Sequence, residues 1–152
     1  MAQFLLLSAG NSTMAIQAGA SSGTPPTLQV ADATNPLQIW EAEMQTNSSS
    51  GVWTGIAFFN PSSGLSVTYN GDFQPLVMQD YSVGSTDQDA WVITSDNSTN
   101  ATFQIAYPPN NGYNWNDLGG QFSAGDNIGL WNGANPNSFW QVSFVTPPSE
   151  KK

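Results

Sequence analysis

Three stretches of the chain repeat one pattern, and this constrains its folding more than any other feature. Each unit runs from a polar turn into an apolar-x-apolar strand: Met14-Ala15-Ile16, Leu65-Ser66-Val67 and Tyr113-Asn114-Trp115. Leu7, Phe59 and Tyr107 precede these turns, and Gly19, Gly71 and Gly119 follow the strands. Further along, Leu37-Gln38-Ile39-Trp40 lines up with Leu76-Val77-Met78-Gln79 and Ile128-Gly129-Leu130-Trp131. A closing element ends in Trp53, Trp91 and Trp140. Spacings of 39 and 52 in the second set, and 38 and 49 in the third, place an insertion at about residues 21–35 of the first unit. Loops absorb such insertions readily.

Helical periodicity is nearly absent. Short, often alternating apolar segments are separated by clusters such as Ser21-Ser22-Gly23-Thr24-Pro25-Pro26 and Pro108-Pro109-Asn110-Asn111-Gly112, which reads as many short strands joined by turns. Only 39% of residues are apolar, but six Trp, eight Phe and four Tyr argue for a packed body, because disordered chains are poor in aromatics. The reading is all-β: one domain over residues 1–148, with repeats of about four strands each at approximately 1–54, 55–98 and 99–146, and a tail at 149–152. Trp53, Trp91 and Trp140, at one point in every repeat, are expected to fill the core near a pseudo-threefold axis.

Charge narrows the possible partners. The only basic side chains are Lys151 and Lys152, against eleven acidic residues. Such a body repels phosphate backbones and anionic membrane surfaces, so neither nucleic acid nor membrane insertion is expected. No stretch approaches the length of a membrane span. The Phe4-Leu5-Leu6-Leu7 run is shorter than a signal-peptide core and lacks a basic flank. It reads as a first strand, which makes a cytoplasmic or non-classically secreted protein the expectation. Four glycosylation triplets, at Asn11, Asn47, Asn97 and Asn100, carry little weight in so Asn- and Ser-rich a chain.

Chemistry is narrowed too. Without His or Cys there is no nucleophile–imidazole pair and no usual zinc site. Without Arg there is no guanidinium clamp for phosphoryl transfer. A two-carboxylate glycosidase is the one mechanism easily built, and Glu41 and Glu43 share a strand face, but nothing near them would raise one pKa. Asp87 and Asp89 bracket Gln88 in what reads as a solvated loop, not a calcium site. No catalytic residue, metal or cofactor is expected.

The arrangement resembles the ricin B-chain-like, or R-type, β-trefoil lectins, over nearly the whole chain. The family's Gln-x-Trp signature is degenerate here: Gly51, Asp89 and Ser138 stand two before Trp53, Trp91 and Trp140. The resemblance implies a β-trefoil fold and sites for neutral glycans. Each site would combine an Asp after the second strand, an exposed aromatic ending the third, and an Asn or Asp before the fourth. A sugar's C–H face packs on the ring, while carboxylate and amide groups take its hydroxyls.

The third repeat matches best, with Asp117, Trp131 and Asn137 in the three roles. Trp140 follows Trp131 by only nine positions, which puts Asn137's reach in question. In the first repeat Trp40 is expected to be an exposed platform, since alternation sets it on the opposite face from Ile39. Gln38 stands two before it and Asn47 lies in the following loop. Ala18 replaces the Asp there, unless Asp32 substitutes. The second repeat has Gln79 in the aromatic position and reads as inactive despite Tyr69, Asn70, Asp72 and Gln88.

The resulting expectation is a non-enzymatic lectin for glycans or glycoproteins, of the galactose or N-acetylgalactosamine type, with homo-oligomers possible. The alternative is a β-trefoil protease inhibitor acting through a protruding loop at 21–35 or 107–112.

Overall fold

Three tryptophans close the barrel, each through the same hydrogen bond. The indole Nε1–H of Trp40 donates to the carbonyl of Ile16, that of Trp91 to Val67 and that of Trp140 to Trp115, at 3.0, 3.0 and 3.1 Å. All three are buried. The computed structural model describes residues 2–46, 53–80, 90–97, 101–108 and 110–145. Side chains at 45, 46, 53, 54, 95–97, 110 and 111 lie outside that description.

The strands fall into three groups of four. The first is β1 (Phe4–Ser8), β2 (Met14–Gln17), β3 (Thr27–Val30) and β4 (Glu41–Thr46). The second is β5 (Trp53–Asn60), β6 (Leu65–Thr68), β7 (Val77–Asp80) and β8 (Val92–Asn97). The third is β9 (Thr102–Tyr107), β10 (Asn110–Asp117), β11 (Ile128–Asn132) and β12 (Trp140–Phe144).

Outer strands of each group form a closed ring. β1 pairs with β12, β4 with β5 and β8 with β9, all antiparallel. Bridges Phe4↔Trp40, Ile56↔Trp91 and Phe103↔Trp140 complete the circuit within each group. The inner strands make the hairpins β2–β3, β6–β7 and β10–β11. These hairpins lean on one another through backbone bonds, Met78 N to Thr24 O, Leu130 N to Gln74 O and Leu28 N to Asp126 O, at 2.8 to 3.1 Å. The fold is a β-trefoil.

Alternation explains the core. Phe4 and Leu6, Ile16, Leu28, Val67, Met78, Ile105 and Leu130 point inward with the tryptophans. Where the first two repeats have Ile16 and Val67, the third has Trp115, whose ring meets Phe58 at 5.1 Å and Trp91 edge to face at 5.3 Å. The barrel strands also line an apolar recess of about 340 Å³ between Phe4, Ile56, Phe58 and Phe103.

Two sequence expectations for the first repeat are corrected. Trp40 is 0% exposed and is the equivalent of Trp91 and Trp140. Trp53 is not: it stands at the start of β5, opposite Thr46. Nor does Leu37 match Leu76 and Ile128, because the backbone bonds Ile128 N to Pro26 O and Leu76 N to Ile128 O put Pro26 in that place. With the register restored, the closing tryptophans are spaced 51 and 49 residues apart, and the supposed insertion disappears. Residues 27–30 of it are β3, paired with β2. The other loop proposed for protease inhibition, 107–112, runs through the ends of β9 and β10, which pair at Tyr107↔Asn110.

Candidate functional site

The third repeat builds a recess of about 160 Å³ from the end of β10, the end of β11 and the turn before β12. Its walls are Asn116, Asp117, Leu118, Trp131, Asn135 and Asn137. Of the residues expected at this site, the structure brings together Asp117, Trp131 and Asn137.

Asp117 is 1% exposed and ends β10. Its Oδ1 accepts from the Gly119 N–H at 3.2 Å and its Oδ2 from the Phe122 N–H at 2.8 Å. Phe122 sits at φ 54, a left-handed conformation that turns its N–H back on the carboxylate. Burial, reinforced by a hydrogen bond to the Asp126 carboxyl, pushes the Asp117 carboxyl up to about 6. With these three contacts, one lone-pair position of the carboxyl is left for a further donor.

Trp131 lies one residue past Leu130 on β11 and is 46% exposed. The pleat puts Leu130 in the core and turns the indole outward. Asn137 belongs to a one-turn 3-10 helix, Pro136–Ser138, started by Pro136 and followed directly by the extended approach to Trp140. Its Nδ2 donates to the Asp117 carbonyl at 3.0 Å, so the short connection delivers the amide to the site. Sequence reasoning missed two members. Asn116 and Asn135 also wall the recess, and the Oδ1 of each is buried without a hydrogen-bond partner among the described residues.

Among the described residues, the first repeat does not bring the same three groups together. The buried Trp40 presents no platform. Gln38 is buried as well, its Nε2 donating to the Val30 carbonyl at 3.0 Å and its Oε1 accepting from the Asp32 N–H at 2.8 Å. It holds the chain in place behind the barrel and is not presented to solvent. Asp32 caps its own turn, accepting from the amide and hydroxyl of Thr34, which hold its carboxyl below the usual range. Asn47 lies outside the described residues.

In the restored register, the equivalents of Asp117, Trp131 and Asn137 in the first repeat are Ala18, Gln29 and Leu37. In the second, Tyr69 and Gln79 hold the first two places, and Tyr69 is stacked flat on Tyr107 at 4.0 Å. Asn70 bonds the Pro75 carbonyl and Asp72 the Tyr69 hydroxyl; Gln88, like Asp87 and Asp89, lies outside the described residues. Among the described residues no group of three acidic side chains is placed to hold a metal ion. Glu41 of the supposed pair accepts from Gln3 Nε2 at 2.9 Å. No helix among them is long and apolar enough to cross a membrane.

The fold is a β-trefoil, and the recess lies in its third repeat. The chain superimposes on a ricin B-like lectin of Macrolepiota procera in complex with lactose, with a TM-score of 0.70, 17% identity, and 92% of this chain and 93% of that one covered. The C-half of an earthworm R-type lectin in complex with GalNAc gives 0.68 at 12% identity, covering 95% and 100%. A mosquitocidal holotoxin matches at 0.78 and 10% identity over 95% of this chain but 17% of its own length. No protein family and no curated protein matches the sequence itself. At these identities the likeness is one of fold.

Proposed function

We propose that the chain is a non-enzymatic lectin with one working site, in the third repeat, for neutral glycans ending in galactose or N-acetylgalactosamine. The carrying observation is the convergence of an exposed indole, a buried carboxylate and three asparagines on one small recess, which among the described residues the third repeat alone assembles. A sugar's C–H face stacks on Trp131 while its hydroxyls donate to Asp117. Two buried amide oxygens without partners in the wall, on Asn116 and Asn135, are costly unless donors come from outside the chain. A negative charge of 9 with no basic residue before Lys151 favours neutral ligands over anionic ones.

Hydrolysis is disfavoured by the same geometry. Asp117 and Asp126 are near enough to hydrogen-bond each other, whereas glycosidase carboxyls stand roughly 5 Å or more apart to flank the scissile bond. A single small site binds weakly, so avid attachment to glycoproteins requires several chains to act together. A glycan array probed with a multivalent form of the protein tests the proposal. Binding to terminal galactose or N-acetylgalactosamine is expected, and silence across all neutral glycans at high valency would overturn it.

A further inference from the structure

The three hairpin junctions of the trefoil are built alike, and one of them is chemically different. At each junction a backbone N–H donates to a carbonyl of the preceding hairpin: Met78 to Thr24, Leu130 to Gln74 and Leu28 to Asp126. The residue just before each acceptor is Gly23, Phe73 or Gly125, at φ 86, 61 and 95. Glycine suits this left-handed position, and phenylalanine occupies it only at a cost in backbone strain. The residue just after each donor is Gln79, Trp131 or Gln29. Phenylalanine and tryptophan therefore meet only at the junction between the second and third repeats.

They do so in the open. Phe73 is 41% exposed, and its ring stands edge to face against Trp131 at 4.8 Å and against Tyr113 at 5.0 Å. Its loop is fixed by bonds from Asn70 Nδ2 to the Pro75 carbonyl, from Tyr69 Oη to Asp72 Oδ1, and from Leu130 N to Gln74 O. At the first junction the residue before Gly23 makes a polar contact instead, Ser22 Oγ to Gln79 Oε1 at 2.9 Å. Strain kept at an exposed position, where glycine serves in both other repeats, marks a side chain placed for contact with something outside the chain.

We infer that Phe73 extends the Trp131 recess across the repeat boundary into a second subsite, which holds the sugar unit linked to the one stacked on Trp131. The protein's ligand is then at least a disaccharide, and Phe73 is its specificity-determining residue. This inference rests on the lectin reading above. The perpendicular rings give a corner: Trp131 takes one sugar's C–H face and Phe73 packs against the next.

The test compares wild type with Phe73→Gly, which installs the residue of the other two junctions and relieves the strain. The probes are methyl glycosides of galactose, N-acetylgalactosamine, glucose, N-acetylglucosamine and mannose, and disaccharides ending in each, titrated by calorimetry. Wild type is expected to bind a disaccharide about 3- to 10-fold tighter than its terminal monosaccharide, and Phe73→Gly to lose that advantage while holding the monosaccharide within about twofold. Equal weakening for both probes would reduce Phe73 to a buttress of Trp131 and overturn the subsite, as would an unchanged disaccharide affinity. Failure of wild type to bind any probe would overturn the lectin reading itself.

Discussion

Asn137 Nδ2 donates to the backbone carbonyl of Asp117 at 3.0 Å. This bond ties the turn before β12 to the end of β10, on either side of the recess where Trp131 is exposed. It makes the position of the amide depend on the strand that carries the carboxylate. Loss of either residue therefore disturbs both.

Asp117→Ala should weaken glycan binding by about 10- to 100-fold, the range for losing hydrogen bonds to a charged acceptor. Asn137→Ala should cost less, about 3- to 10-fold, because its principal partner is the protein backbone. Titration calorimetry of the two variants gives the ranking; Asn137→Ala proving the more damaging would contradict it.

Trp131 and Trp40 should separate binding from stability. Trp131→Ala removes an exposed ring and should abolish detectable binding while leaving the denaturation midpoint nearly unchanged. Trp40→Ala empties a buried site and strands the Ile16 carbonyl, costing about 3–5 kcal/mol. Urea unfolding monitored by circular dichroism distinguishes them.

The raised Asp117 pKa gives stability and binding opposite pH dependences. The folded carboxyl, at about 6, holds its proton more tightly than the unfolded one, near 3.8. Its contribution to stability is full below pH 3.8 and is lost as pH rises through 6. Melting temperature should therefore rise on acidification, and Asp117→Asn should flatten that rise. Glycan affinity, which uses the ionised acceptor, should instead fall as pH drops through 6. Parallel pH profiles of wild type and Asp117→Asn would check both signs.

Gly129 keeps the second and third hairpins in contact. A β-carbon there would lie 2.5 Å from the Gln74 carbonyl oxygen and would also strike Leu118. Gly129→Ala should destabilise the protein by about 1–3 kcal/mol and weaken binding, since Leu118 lines the recess. Thermal denaturation and titration of this variant should move together.

The threefold plan was legible because strands announce themselves through alternation and turn residues, and these recur in every repeat. That Asp117, Trp131 and Asn137 lie around one recess was legible from the third repeat's resemblance to the lectin pattern, and alternation set Trp131 outside the core. The first repeat misled through a local likeness, Pro36-Leu37 against Pro75-Leu76. Those two Pro-Leu pairs do different jobs, one starting a 3-10 turn and the other leading into β7. The better guide was Asn35-Pro36 five residues before Trp40, repeated as Asn135-Pro136 before Trp140. It marks the same turn twice and identifies Gln38-Ile39-Trp40 as the true Gln-x-Trp element. The placing of Asn116 and Asn135 in the recess wall and of Phe73 against Trp131 was not legible, because it depends on contacts between segments that single-strand patterning does not encode.

A single glycan site on Trp131 can be read in the indole N–H region of a proton–nitrogen correlation spectrum, titrated with lactose. The sequence holds six tryptophans. The Trp131 resonance should move, saturating at one equivalent per chain, while those of Trp40, Trp91 and Trp140 stay in place. Saturation at two or more equivalents, or an unmoved Trp131 resonance with lactose bound, would contradict it.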